Sequence, residues 1–129
     1  MCGGSIGRVL RNVLPERLRS AVRAHNTCWL EKAVAQYGQV PKWMEGLRPH
    51  GHHIIPQKGW FGGWGSKLRK LAKKKGITDH VNDIDNLTLA PNGTGTHKWK
   101  TIKAIYKRLQ EFEDATDARF RMELRDIHR

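Results

Sequence analysis

Only two short stretches of this chain have the makings of β-strands, and a proline stops each one. His52-His53-Ile54-Ile55 runs into Pro56, and Leu87-Thr88-Leu89-Ala90 runs into Pro91. Proline has no backbone N–H to give to a neighbouring strand. Two strands this short make at most a hairpin, which alone is only marginally stable in water. The expected fold class is therefore α+β, with helices supplying most of the core. The clearest helix is expected over 97–112, with Thr96 as its N-cap. Trp99, Ile102, Ile105, Tyr106, Leu109 and Phe112 recur there at spacings of three and four, giving one continuous apolar stripe. The strands are expected to pair antiparallel, with this stripe packed on them.

The remaining segments arrange themselves around that centre. Residues 1–13 read as loosely ordered, and Pro15 suits the first position of a helix. Leu18, Val22, His25, Trp29, Ala33 and Tyr37 continue that helix until Gly38 ends it. Pro41 and Pro49 bracket a connector in which Trp43 and Met44 are expected to plug the core. A glycine-rich loop with Trp60 and Trp64 fills 57–65. Ser66 is then a candidate cap for a helix over 67–75, closed by Gly76. In that helix Lys67, Arg69, Lys70, Lys73, Lys74 and Lys75 are basic, and only Leu68, Leu71 and Ala72 face inward. A polar connector occupies 77–85, and Asn92-Gly93-Thr94-Gly95 reads as a turn. Beyond Phe112 the apolar pattern either continues to Phe120, Leu124 and Ile127 or breaks near Asp114. The length of 129 residues suits one domain.

Charge narrows the partners. Lys and Arg number 24 against 12 Asp and Glu, a formal net charge of +12. Such a field attracts polyanions, and nucleic acid is the natural one. A membrane surface fits less well, because no basic helix here also carries a broad apolar face. No stretch approaches the ~18 apolar residues of a membrane span, and the first ten residues do not resemble a signal peptide. Two cysteines make no disulfide framework. Cys28 is expected as a buried thiol and Cys2 on a mobile terminus, neither binding metal.

The chemistry concentrates at four positions. His52 and His53 sit together, Asn86 precedes the second strand, and His97 opens the helix behind it. Phosphodiester hydrolysis needs a proton acceptor for water, an offset for charge on phosphorus, and help for the leaving oxygen. Imidazole suits the first, because its unperturbed pKa of ~6.5 lies near working pH. A divalent cation supplies the other two, and neutral imidazoles are common ligands for such ions. Adjacent strand residues point to opposite sides, so one histidine can hold the ion while the other faces water.

Gly51-His52-His53-Ile54-Ile55-Pro56, then Asn86-Leu87-Thr88-Leu89, then His97 with Lys98 and Lys100, resembles the His-Me finger superfamily of HNH and endonuclease VII nucleases. Gly51 makes the run similar to the Gly-His-His branch, found in toxin domains at the C-terminus of large bacterial polymorphic toxins. The resemblance covers roughly residues 50–110. It implies a small ββα-metal centre flanked by helices, over 50–112, with a basic insertion at 57–85 and a helical tail at 113–129. It implies His52 and His97 as metal ligands, His53 as general base, and Asn86 as the residue that pins the loop or base. It further implies DNA as substrate, RNA not being excluded, and an acidic immunity protein as partner. The setting would be the cytoplasm of a competitor cell, reached as the C-terminal part of a larger secreted protein.

Three departures from the family pattern matter. The stretch between the histidine pair and Asn86 is long and carries the basic helix. The turn between Asn86 and His97 is longer than the commonest spacing. Many relatives have another ligand one helical turn after His97, where this chain has Thr101. Two protein ligands would leave water and phosphate oxygens to complete the shell. That suits Mg²⁺ or Zn²⁺, with Mn²⁺ or Ni²⁺ as further candidates. Lys67, Arg69, Lys70, Lys73, Lys74, Lys98 and Lys100 are the expected phosphate contacts, and Trp60 and Trp64 could stack on bases or anchor their loop. His50 reads as a loop residue outside the pattern, and His80 as a connector residue rather than a ligand. Asp83 and Asp85 read as turn carboxylates ahead of metal ligands, and His128 is uninformative. Two other functions compete: a non-enzymatic nucleic-acid-binding module with a structural metal, and a homing or restriction-type HNH nuclease. Structural zinc usually takes four protein ligands, which this sequence does not offer. Homing and restriction enzymes need a recognition module, and none is evident.

Overall fold

The computed structural model describes residues 24–47, 49–90 and 98–127. Expectations placed on residues 1–13, Cys2, Pro15, Leu18, Val22, Pro91, the 92–95 turn, Thr96, His97 and His128 lie outside the described residues. So do those on the side chains of His25, Cys28 and Tyr37. The architecture is α+β: helices with one small antiparallel sheet of two strands. The chain divides into two compact units, the first covering 1–52 and 87–94, the second 53–86 and 95–129.

In the first unit, α1 (Ala24–Tyr37) is followed by the single turn α2 (Lys42–Glu45), β1 (His50–His53, its last residue belonging to the second unit) and β2 (Leu87–Ala90). Gly38 ends α1 as expected, its N–H donating to the Val34 carbonyl at 2.6 Å. Leu30, Val34, Val40 and Met44 form the core, with Leu89 of β2 against them. The sheet is covered by α1. The approach is close at Gly51, where an added Cβ would lie 2.4 Å from the Trp29 carbonyl carbon and oxygen. Only glycine fits there, so β1 lies directly against the helix backbone. Trp43 does not plug this core: it is 65% exposed, and Met44 alone turns in from that turn of helix.

The expected first strand is displaced. β1 begins at His50, which is a strand residue and not a loop residue, and ends at His53, so Ile54 and Ile55 follow the strand. Both isoleucines are buried in the core of the second unit.

That unit contains α3 (Trp64–Lys74), α4 (Trp99–Gln110) and α5 (Asp117–Asp126). The stripe of α4 packs on α3 and α5 and shares its core with Ile54 and Ile55, the isoleucines expected in the first strand. Ile102, Ile105 and Leu109 are buried, but Trp99 is 49% exposed and leaves the stripe. The pattern breaks after Phe112, and Thr116 caps α5 by accepting the Arg119 N–H at 3.1 Å. Ser66 does not cap α3. A 3-10 turn at Phe61–Gly63 leads straight into the helix, Gly63 and Gly65 donate to the Trp60 carbonyl, and Ser66 falls inside the first turn. The other end of α3 is a Schellman motif. Gly76, at φ +85, donates to the Lys73 carbonyl, and Ile77 donates to that of Ala72. Ile77 is thereby delivered to the core, and the segment after Gly76 does not begin as a polar connector.

Candidate active site

The strand ends at His53 because Asn86 takes over the backbone that follows. The Ile54 N–H donates to the Asn86 carbonyl at 3.0 Å. The Asn86 side chain then treats Ile55 as a strand partner would: Oδ1 accepts the Ile55 N–H at 2.6 Å, and Nδ2 donates to the Ile55 carbonyl at 3.0 Å. Nδ2 also donates to the His80 carbonyl at 2.6 Å. Asn86 is fully buried, so these bonds replace lost hydration rather than adding to it.

The next carbonyl along holds the candidate base. His53 Nε2 lies 2.7 Å from the Val81 carbonyl oxygen. A carbonyl can only accept, so Nε2 carries the proton, and the lone pair of the neutral ring sits on Nδ1. Two consecutive carbonyls are thus held, that of His80 by Asn86 and that of Val81 by His53.

The 79–86 segment that presents these carbonyls is built from consecutive turns. The Asp79 carbonyl accepts from the Asn82 and Asp83 N–H groups, and Asp83 Oδ1 accepts the Asp85 N–H at 3.0 Å. Asn82 Nδ2 donates to Asp79 Oδ2 at 3.0 Å, which holds the Asp79 carboxyl below its ordinary range. Asp83 and Asp85 face one guanidinium: Arg121 Nη1 is 2.8 Å from Asp83 Oδ2 and 2.9 Å from Asp85 Oδ2. Arg125 adds a contact to Asp85 at 3.4 Å. Partial burial opposes the Arg121 charge, but its bonds to Asp83 and Asp85 outweigh that and raise its pKa. His80 Nε2 donates to the Gln57 carbonyl at 3.3 Å, tying the segment to the loop after Pro56.

Of the four expected site residues, His53 and Asn86 come together on the consecutive carbonyls of Val81 and His80. His52 belongs to the sheet unit, where it is buried and its ring meets that of His50 edge to face, centroids 5.9 Å apart. His97 is not among the described residues. No three His, Cys, Asp or Glu side chains cluster among the described residues.

The basic residues divide in two. Arg69 braces the preceding loop, donating to the Gly59 carbonyl at 2.7 Å and to that of Pro56 at 3.5 Å. Lys75 is buried, donating to the Ala115 carbonyl and lying 3.4 Å from Asp117. Lys74 bonds Glu113 at 3.0 Å, and this bond raises its pKa. Lys67, Lys70, Lys73, Lys98 and Lys100 are exposed. Lys67 and Lys103 both place Nζ over the Trp64 ring, at 4.6 and 5.3 Å, and Lys100 lies 5.6 Å from the Trp99 ring. Lys103 follows Trp99 by four residues on α4, which sets them on one face. Trp64, Lys67, Trp99 and Lys103 thus make one aromatic and basic surface within the second unit. Sequence reasoning overlooked Lys103, whose signal was that spacing. It read His50 as a loop residue despite the His-x-His alternation, and it had no signal for the Val81 carbonyl, which no side chain announces.

No family model, no curated protein and no solved structure matches this chain.

Proposed function

We propose that this chain is a metal-dependent endonuclease of the His-Me finger type, hydrolysing phosphodiester bonds in DNA. The observation that carries the reading is the Val81 carbonyl at 2.7 Å from His53 Nε2, one residue beyond the His80 carbonyl that Asn86 holds. A general base must keep one nitrogen protonated and anchored while the other takes the proton from water. The Val81 bond does the first and directs the second role to Nδ1. Asn86 holds the adjacent His80 carbonyl and would act as a positioning residue for the segment that bears the anchor. The ββα-metal centre and the roles of His52 and His97 as ligands belong to the same proposal. A divalent cation bound there would offset charge on the phosphate and assist the leaving oxygen. The exposed lysines of α3, with Lys98, Lys100 and Lys103, would hold the phosphate backbone without reading sequence. Trp99, half exposed, would offer a ring face to bases.

The biological reading is the toxic effector domain of a bacterial polymorphic toxin, acting in the cytoplasm of a target cell. A nearby acidic immunity protein would exploit the surface that attracts phosphate. Among the described residues no helix is long and apolar enough to cross a membrane.

The test is cleavage of supercoiled plasmid and of RNA by the purified chain with Mg²⁺, Mn²⁺, Ni²⁺ or Zn²⁺, beside His53→Ala. The wild type should nick DNA only with a divalent ion. His53→Ala should lose about 10²- to 10⁴-fold in rate while calorimetry shows metal binding retained. Equal cutting by both proteins removes His53 as base. Salt-sensitive DNA binding without cutting under any metal favours the binding-module alternative.

A further inference from the structure

We propose that His50 and His52 form a two-imidazole metal cradle on one face of β1, so that His50 supplies a ligand absent from the motif. The inference deepens the nuclease reading, since the ion concerned is the one that reading requires.

Strand alternation puts residues 50 and 52 on one face and Gly51 on the other. The structure agrees, because Gly51 lies against the Trp29 backbone while the two rings meet each other. The tight seat at Gly51 fixes the register of the strand, and therefore the direction in which both histidines project.

The separation of the rings is what makes them a candidate pair. A metal-to-nitrogen bond of about 2.0–2.1 Å, plus ~1.1 Å to the ring centre, puts each centroid about 3.2 Å from a shared ion. Two rings on one ion then lie roughly 4.5 Å apart at a right angle and roughly 6.4 Å apart in line. The observed 5.9 Å falls inside that range, with the rings nearly perpendicular at 85°. His52 is buried and His50 half-buried, so an ion on this pair keeps one side open to water and phosphate. Thr101 brings no imidazole to the first turn of α4. His50 answers that deficit from the strand. The pair commits the site to an ion that favours nitrogen, in the order Ni²⁺ and Zn²⁺ over Mg²⁺.

The experiment uses the full chain with Co²⁺ as probe, read by calorimetry and by the visible absorption of the bound ion. His50→Ala and His52→Ala should each weaken Co²⁺ binding at least tenfold, and His53→Ala should leave it within about twofold. His50→Asp, which restores a ligand atom, should recover part of the affinity. Sub-stoichiometric Co²⁺ should broaden the ring proton signals of His50 and His52 in the unaltered protein, a readout independent of how the variants fold. Wild-type affinity in His50→Ala, or unbroadened His50 signals, overturns the proposal. If the chain cuts DNA with metal while His50→Ala binds Co²⁺ normally, the cradle falls and the nuclease reading stands. If Co²⁺ binds through both histidines but nothing is cut with any ion, the cradle stands and the nuclease reading falls.

Discussion

The 79–86 segment and helix α3 are both strongly polar, and they use polarity in opposite ways. In 79–86, Asp83 and Asp85 share Arg121, Asp79 holds Asn82, and Asn86 spends its amide on three backbone groups. On α3, Lys70 and Lys73 reach solvent, and Lys74 has one exposed ion pair. A polar group that is buried and satisfied fixes geometry, because moving it leaves a partner unsolvated. A charge in water holds no geometry but remains available to a ligand. Under the proposed function, the first region would position a base and the second would attract a polyanion. Substitutions in the two should separate stability from binding.

The largest stability effect is expected at Asn86. Asn86→Ala strands the buried Ile55 N–H and removes the donor to two carbonyls, at a cost of about 3 kcal/mol or more. Denaturant unfolding should show a lower midpoint, and a midpoint equal to wild type would mean that the clamp contributes nothing. Full burial of Asn86 makes it a residue of the fold as well as of the candidate site. Asn86→Asp keeps an acceptor for the Ile55 N–H but faces the His80 and Ile55 carbonyls without a donor, so it should also destabilise.

A middling effect is expected at Arg121. Arg121→Ala leaves Asp83 and Asp85 close together without their shared cation, which should cost roughly 1–2 kcal/mol given the partial exposure of all three. Adding Asp85→Asn to that background should restore part of the loss, because it removes the repulsion. If the double variant is no more stable than Arg121→Ala, the carboxylates do not repel and the cluster is only a surface ion pair.

The legible part of the molecule was its punctuation and its patterned helices. Gly38 and Gly76 ended helices where the pattern stopped, and Ile102, Ile105 and Leu109 were core. Asn86 preceded the Leu87–Ala90 strand as expected. The illegible part depended on what a side chain meets across the chain. Ile54 and Ile55 have strand chemistry, yet the Asn86 amide takes the backbone of Ile55, so the strand ends two residues early. Trp99 matched the α4 stripe by spacing, but it stands at the helix start beyond the reach of the core and shares its face with lysines instead. Ile77 was missed although an apolar residue after a terminating glycine is part of the Schellman pattern. The Val81 carbonyl, the partner on which the reading of His53 rests, belongs to the backbone, and no residue type announces it.

The smallest stability effect, and a large effect on binding, is expected from charge reversal on α3. Lys70→Glu with Lys73→Glu alters two exposed side chains for which no ion pair is seen among the described residues. The fold should therefore keep its unfolding midpoint within about 0.5 kcal/mol. Lys74 is left intact, because Lys74→Glu would set two carboxylates against each other at Glu113 and mix a structural cost into the result. If the two lysines contact phosphate, the double reversal should weaken DNA binding by more than tenfold at moderate salt. Each lost phosphate contact also removes one released counterion, so the plot of log affinity against log salt should become shallower by roughly 2. Fluorescence anisotropy of a labelled duplex across a salt series measures both quantities. Weakening with an unchanged slope would point to a lost shape of the surface, and would be accompanied by a shifted unfolding midpoint. Unchanged affinity with an unchanged slope would move the phosphate-binding face away from α3, leaving Lys98, Lys100 and Lys103 around Trp64 and Trp99 as the surface to alter next.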